Sequence, residues 1–341
     1  MIKKPPGAQR ERMPDKVKWG IIGCGDVTEV KSGPAFAKCR GSELVAVMRR
    51  DENKVRDYAR RHSVPHWFTD ADALIHHPDV NAVYVATPPY AHADYAIKAL
   101  NAGKPVYVEK PMALNFTECE QMIEAAEQAG TPLFVAYYRR ALPGFLKIKE
   151  LIDSGAIGQV RLIDIQLYKS SPRDAFSGDL PWRVKPEISG GGLFFDLASH
   201  QLDYLDHVFG PVQDIRSLAI NQAGWYLAED FVQATLRFKH NVVCSGTWCF
   251  TASPAANRDV MTIIGDEGMI EFSCFGFVPV RLTTGSGTQE FDYPKPEHVQ
   301  QYLIQQIVDE LSGNGKCVST GTSGARTSLV MDNIVAEYYR K

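Results

Sequence analysis

Apolar positions along the chain follow two rhythms. From Val17 to residue 140, short β-branched and aromatic runs (Val17–Ile22, Leu44–Met48, Ala82–Ala86, Val106–Val108 and Leu133–Ala136) alternate with stretches of helical character near 53–61, 70–77, 90–102 and 115–129. Asn115 is placed to cap the last of these helices and Gly130 to end it. Strands alternating with helices over such a length predict a parallel, doubly wound sheet. After a helix near 143–153 the rhythm changes to alternating runs at Val160–Tyr168, Phe231–Phe238, Val242–Phe250, Asp259–Ile264 and Val278–Thr283, punctuated by Gly and Pro. Val232, Ala234, Leu236 and Phe238 share one face, which predicts an open, mostly antiparallel sheet covered on one side. Helices near 297–312 and 323–339 close the chain.

The first strand runs into Gly23-Cys24-Gly25-Asp26-Val27-Thr28. In that context the first glycine makes the tight turn and the second lets a pyrophosphate approach the backbone, near Asp26 and Val27. Thr28 stands where Gly or Ala is usual, which implies looser packing of helix on strand. The predicted class is therefore α/β: an N-terminal Rossmann domain over 17–140, then an α+β domain with an open sheet over 141–341. Residues 1–16 form a disordered lead-in, and the C-terminal helix is free to return to the first domain.

Two further stretches carry candidate chemistry. Lys110 follows the buried-strand run Val106–Val108, so it belongs at a strand's carboxyl end, where open α/β sheets bind ligands. Gly190-Gly191-Gly192 precedes a helix on which Asp196, His200 and Asp203 fall within about 60° of one another, a polar stripe at the entrance of a site.

Composition narrows the function. The 341 residues are 45% hydrophobic and 23% charged with a net charge of −3, a globular chain with no pull toward nucleic acid or anionic membrane. No apolar run reaches the ~18 residues of a membrane span and no secretory signal opens the chain, so a cytoplasmic location is expected. The seven cysteines are odd in number and scattered, which argues for reduced thiols rather than disulfides or zinc. His76 and His77, beside His62 and His66, read as surface residues without cysteine partners, and no metal is expected.

These motifs resemble the glucose-fructose oxidoreductase and inositol dehydrogenase family, Gfo/Idh/MocA. The likeness runs from residue 17 almost to the end through Gly23-Cys24-Gly25, Ala86-Thr87-Pro88-Pro89 with His92, and Ala102 to Pro111, which includes Glu109-Lys110-Pro111. It continues through Arg140 and Pro143, Trp182-Arg183, and Gly191-Gly192 with Asp196 and His200. Tyr138 departs from the Asn of many members. The resemblance implies hydride transfer between a nicotinamide cofactor and a hydroxyl or ketone of a sugar, keto-sugar or polyol, in a homodimer or homotetramer. It places Thr87, Pro88, His92, Glu109, Lys110, Trp182 and Arg183 around the cofactor. Asp196 and His200 face the substrate, and the Lys110–Pro111 peptide is often cis.

A base must reach the hydroxyl that loses hydride, and His200, with an ordinary pKa of about 6.5, is the natural candidate. Asp196 would orient the substrate, and Lys110 would polarise its oxygen. The same family contains NAD-dependent glycosidases, and the scaffold also serves as a non-catalytic cofactor sensor, against which an intact Lys110, Asp196 and His200 argue. A metal centre of Asp196, His200, Asp203 and His207 lacks a further ligand run. Cofactor choice rests on Arg49 and Arg50: Arg49 occupies the position where an acidic residue would select NAD(H), and a guanidinium there favours the 2′-phosphate of NADP(H). Asp51 keeps NAD(H) as the alternative.

Overall fold

In the computed structural model, β1 (Val17–Ile22), β2 (Ser42–Met48), β3 (His66–Phe68), β4 (Ala82–Val85), β5 (Val106–Val108) and β6 (Leu133–Val135) form one sheet. All pairs are parallel, in the order β3-β2-β1-β4-β5-β6. The structure describes residues 16–171, 173–176 and 178–340, so the expected lead-in lies outside the described residues apart from Lys16. The edge strand β3 has no run in the sequence reading because it is three residues long and pairs on one side only. α1 (Asp26–Val30), α2 (Gly33–Lys38), α3 (Glu52–Arg61), α4 (Ala71–Ile75), α5 (His92–Asn101) and α6 (Phe116–Ala129) connect the strands. Asn115 caps α6 by accepting the Glu118 N–H at 3.0 Å, and Gly130 ends it in a left-handed conformation, φ 61°.

The second half begins with α7 (Pro143–Asp153) and carries an eight-stranded sheet of β7 (Val160–Tyr168), β8 (Asp214–Ile220), β9 (Phe231–Arg237), β10 (Val243–Cys249), β11 (Arg258–Gly265), β12 (Gly268–Phe272), β13 (Val280–Thr284) and β14 (Gly287–Phe291). Its order is β14-β13-β12-β11-β7-β10-β9-β8, antiparallel except for β10 on β7. β8, β12 and β14 are absent from the sequence reading: β14 is almost wholly exposed, and β8 is a half-exposed edge with two charges among its seven residues. Between β7 and β8 lie α8 (Pro186–Ser189) and α9 (Leu193–Phe209). The inner face, with Ile163, Ile165, Val232, Leu236, Trp248 and Ile263 fully or almost fully buried, packs on Phe194, Ala198 and Leu202 of α9. Trp248 donates its indole N–H to Gln201 Oε1 at 2.7 Å, so burying this large ring leaves no polar group unmet on it.

Both closing helices, α10 (Gln301–Leu311) and α11 (Gly321–Tyr339), return to the first domain. Gly321 and Gly324 let α11 sit directly on β6: a Cβ at either position would stand 2.8 and 2.6 Å from the side chains of Leu133 and Val135. α10 packs at α2, where Gln305 accepts the Arg40 N–H at 2.8 Å. One apolar core consequently runs from Trp19 in the first sheet to Trp248 in the second. All seven cysteines are free, and no helix among the described residues is long and apolar enough to cross a membrane.

Candidate active site

The carboxyl ends of the parallel strands lie on one edge, and nearly every candidate from the first domain emerges there: Gly23 after β1, Arg49 after β2, Thr87 after β4, Glu109 and Lys110 after β5. The order reverses between β1 and β4, the switch point at which such sheets bind ligands. Gly23 has φ 92°, and a Cβ there would lie 2.8 Å from the Thr87 backbone N. Around Gly25 a Cβ would meet nothing nearer than 3.9 Å, leaving open space before the N-terminus of α1, where Asp26 and Val27 begin the helix. Thr28 does not loosen the packing. Its side chain is fully buried and donates to Gly25 O at 2.8 Å, and the close approach moves to Gly33, where a Cβ would lie 2.1 Å from Thr28 O.

Arg49 lies along this turn, donating to Cys24 O at 3.0 Å, and Arg50 reaches the Tyr90 hydroxyl at 3.4 Å. Asp51 caps α3, accepting the Lys54 N–H at 3.0 Å. Pro88 follows Thr87, whose hydroxyl is buried without a partner. The open space before Gly25, this unpartnered hydroxyl and the adjacent guanidinium suit a dinucleotide. His92 is placed otherwise than a cofactor contact. Its ring nitrogens lie 2.7 Å from Thr87 O and 3.0 Å from Pro111 O, so the fully buried ring ties the loop after β4 to the loop after β5. Burial lowers its pKa.

Lys110, on a cis peptide to Pro111, crosses to the second domain and donates to Asp196 Oδ1 at 2.6 Å and Asp196 O at 2.8 Å. Arg183 Nε stands 3.3 Å from the other carboxylate oxygen, with its guanidinium carbon 4.4 Å above the Trp182 ring. Burial raises the Asp196 pKa, but Lys110, then Arg183, overcome it, so the carboxylate is held below its ordinary range. Glu109 is buried behind Lys110, accepting from Tyr84 Oη and Gln300 Nε2, both at 2.6 Å, and from the Lys110 N–H at 3.1 Å. It fixes the lysine's backbone rather than meeting the open edge.

The polar stripe on α9 divides its members. Asp196 faces Lys110, whereas Asp203 is buried and pairs with Arg140 through contacts of 2.8 and 2.6 Å. His200 is 3% exposed among the rings of Tyr138, Phe275 and Tyr137, at 5.1, 6.1 and 6.2 Å, and its Nδ1 has no partner. Burial, followed by the charges of Arg139, Lys110 and Lys31, holds its pKa well below the ordinary value. An imidazolium is therefore disfavoured here. Asp203 is committed to Arg140, so Asp196, His200, Asp203 and His207 form no metal cluster. The metal-capable group among the described residues is His66, His77 and Asp79, at the opposite, amino end of the first sheet.

Several residues that shape the site escaped the sequence reading. Glu229, fully buried, accepts the Gly192 N–H at 2.9 Å and so caps α9 four residues before Asp196; its other oxygen accepts Tyr339 Oη at 2.5 Å. Gln300 joins Glu109 to Tyr107 from the start of α10. Both act across distances in sequence that no local pattern announces. Arg139 lay next to a motif position and was visible only as a neighbour.

A glycine turn at the switch point of a 3-2-1-4-5-6 sheet, with a lysine–carboxylate pair on the same edge, defines a dinucleotide-dependent oxidoreductase. Residues 17–137 match the family described as oxidoreductase family, NAD-binding Rossmann fold, and residues 145–271 match its C-terminal domain; the chain belongs to the GFO/IDH/MocA family. It is 43% identical to oxidoreductase P35 of Formosa agariphila over 94% of this chain and 98% of that protein. It is 28% identical to trans-1,2-dihydrobenzene-1,2-diol dehydrogenase of Danio rerio over 82% and 81% of the two chains. Levoglucosan dehydrogenase, solved with NADH and levoglucosan, shares the fold with a TM-score of 0.86 over 95% of this chain and 98% of that chain, at 22% identity.

Proposed function

We propose that the chain oxidises a hydroxyl of a sugar or polyol, or reduces the corresponding ketone, with NADP(H) as its preferred cofactor. The observation that carries this reading is the Lys110–Asp196 pair, 2.6 Å apart, joining the strand edge of one domain to the first turn of α9 in the other. The Danio rerio and levoglucosan enzymes, named as dehydrogenases of hydroxylated rings, support it. A nicotinamide dinucleotide bound along Gly23, Gly25 and Arg49 would supply the hydride acceptor or donor. Lys110 Nζ, oriented by Asp196, exchanges the proton of the substrate oxygen and stabilises its developing charge. Burial, then the cations around it, keep His200 neutral, so it offers a hydrogen bond and the proton transfer is assigned to Lys110. Trp182 and Arg183 cover the pair from the second domain.

The preference for NADP(H) is supported by Arg49 on the glycine turn and by Asp51 being turned into α3. Leu162, Leu218 and Met269, 38%, 51% and 36% exposed on the outer face of the eight-stranded sheet, support self-association through that face. A panel of sugars, keto-sugars and polyols with each cofactor, read by nicotinamide absorbance, tests the function. One reduced cofactor per substrate oxidised is expected. Sugar release at a merely catalytic level of cofactor would make the protein a glycosidase instead.

A further inference from the structure

Cations converge on the reacting pair. Asp196 is shared by two cations, Lys110 at 2.6 Å and Arg183 at 3.3 Å, and Lys31 acts on it as well. The charges acting on His200 are all cations, Arg139 foremost. Of the nearby carboxylates, Glu109 accepts from Tyr84 and Gln300, and Asp259, whose charge acts on Arg139 from a distance, accepts from Ser273 and the N–H groups of Cys274, Phe275 and Gly276.

Arg139 is the least satisfied of the group. It is 6% exposed, donates through Nε to Cys274 O at 2.8 Å, and leaves a buried guanidinium nitrogen, Nη1, without a partner. Its guanidinium carbon lies 4.6 Å from the Phe275 ring centroid, and that ring is 6.1 Å from His200. On Phe275 a second cation converges, the exposed Lys169, its Nζ 5.9 Å from the ring centroid. Asp259 lends Arg139 charge but no contact at Nη1; a buried guanidinium nitrogen without a partner is costly, and the geometry of a guanidinium suits a carboxylate. The cofactor's phosphates belong at the glycine turn of the first domain, near Lys31 at the end of α1. They do not reach Arg139 Nη1 and Lys169, around Phe275 in the second half.

We propose that the substrate is an acidic sugar, carrying a carboxylate besides the hydroxyl that reacts, and that Lys169 and Arg139 receive this carboxylate around Phe275. The assignment rests on the dehydrogenase reading and names its substrate class. Phe275 offers apolar surface to the sugar ring, Lys169 is met at the protein surface, and Arg139 lies against the Phe275 ring.

The test separates binding from turnover. D-Glucuronate, D-galacturonate and D-gluconate are titrated into the NADPH-loaded protein beside D-glucose, D-galactose and sorbitol, and the same compounds are assayed for turnover with NADP⁺. At least one acid should bind about tenfold or more tighter than its neutral counterpart, as expected for a charge-assisted contact. Lys169→Met, an exposed position, should raise the Kd of that acid at least tenfold more than that of the neutral sugar. Equal affinities, or an equal loss for both in Lys169→Met, would overturn the proposal, as would binding of sulfated sugars but of no carboxylate. Neutral sugars that turn over while acids neither bind nor react would leave the dehydrogenase reading intact and sink this one. Selective binding of an acid with no absorbance change for any compound would do the reverse.

Discussion

The two halves of the site are built from different material. The half proposed to hold the cofactor is mostly backbone: the Gly23 turn, the start of α1 and the loops after β2 and β4, all delivered to one edge by a parallel sheet. The half proposed to meet the substrate is side chain: Lys110 from the first domain, Asp196 and His200 from α9, and Phe275 from the loop after β12. A backbone site follows from topology and tolerates most substitutions outside its glycines and Arg49. The side-chain site depends on a few atoms being met across the domain boundary, so single replacements should strike turnover while sparing cofactor binding.

The largest effect should come from that boundary. Lys110→Met is expected to lower kcat by roughly 10²- to 10⁴-fold, the usual worth of an acid–base or electrostatic group, with the cofactor Kd nearly unchanged in a fluorescence titration. A matching loss of cofactor affinity would erase the distinction between the halves. Next comes Arg49→Asp, which should reverse the order of NADPH and NADH binding. A hydrogen bond to a charged phosphate contributes about 1.5–3 kcal/mol, or roughly 10- to 150-fold. Tighter NADH binding by the native protein would show that Asp51 governs the site despite its place on α3.

A further effect, on stability rather than turnover or cofactor choice, concerns Glu229, the cap on α9. Burial pushes its pKa from 4.5 up to about 7. Between these values the folded chain keeps a proton that the unfolded chain has released, so this group's contribution falls as pH rises through that window and costs about 3 kcal/mol above it. His200, held neutral by burial, acts the other way: the unfolded chain takes up its proton below about pH 6.5, and stability falls there as pH falls. Thermal melts of Glu229→Gln from pH 4.5 to 8 should show the variant gaining on the native protein as pH rises. A difference independent of pH would mean that Glu229 carries no such shift.

The same contrast explains what could be read in the sequence. The parallel sheet, its glycine turn and the strand-end Lys110 were legible because β-branched runs and glycines are local signals. Asp196 was legible as part of a helical stripe, but the stripe misled. Three residues with one angular position have three environments, a salt bridge to Lys110, an aromatic pocket and a buried Arg140, and no spacing distinguishes them. The ordinary pKa assumed for His200 failed for the same reason, since burial and Arg139 are tertiary facts. β14 and β3 were missed because short edge strands need no apolar run, while Glu229 and Gln300 serve the site from 37 and 191 residues away.

The central claim is that Lys110 and Asp196 work as one unit across the domains, and a double-mutant cycle on kcat measures it directly. Lys110→Met, Asp196→Ala and the double variant should all lose turnover to a similar extent, the double being little slower than the slower single, because either change dismantles the same pair. Losses that multiply in the double variant would show the two residues acting independently and would contradict the account.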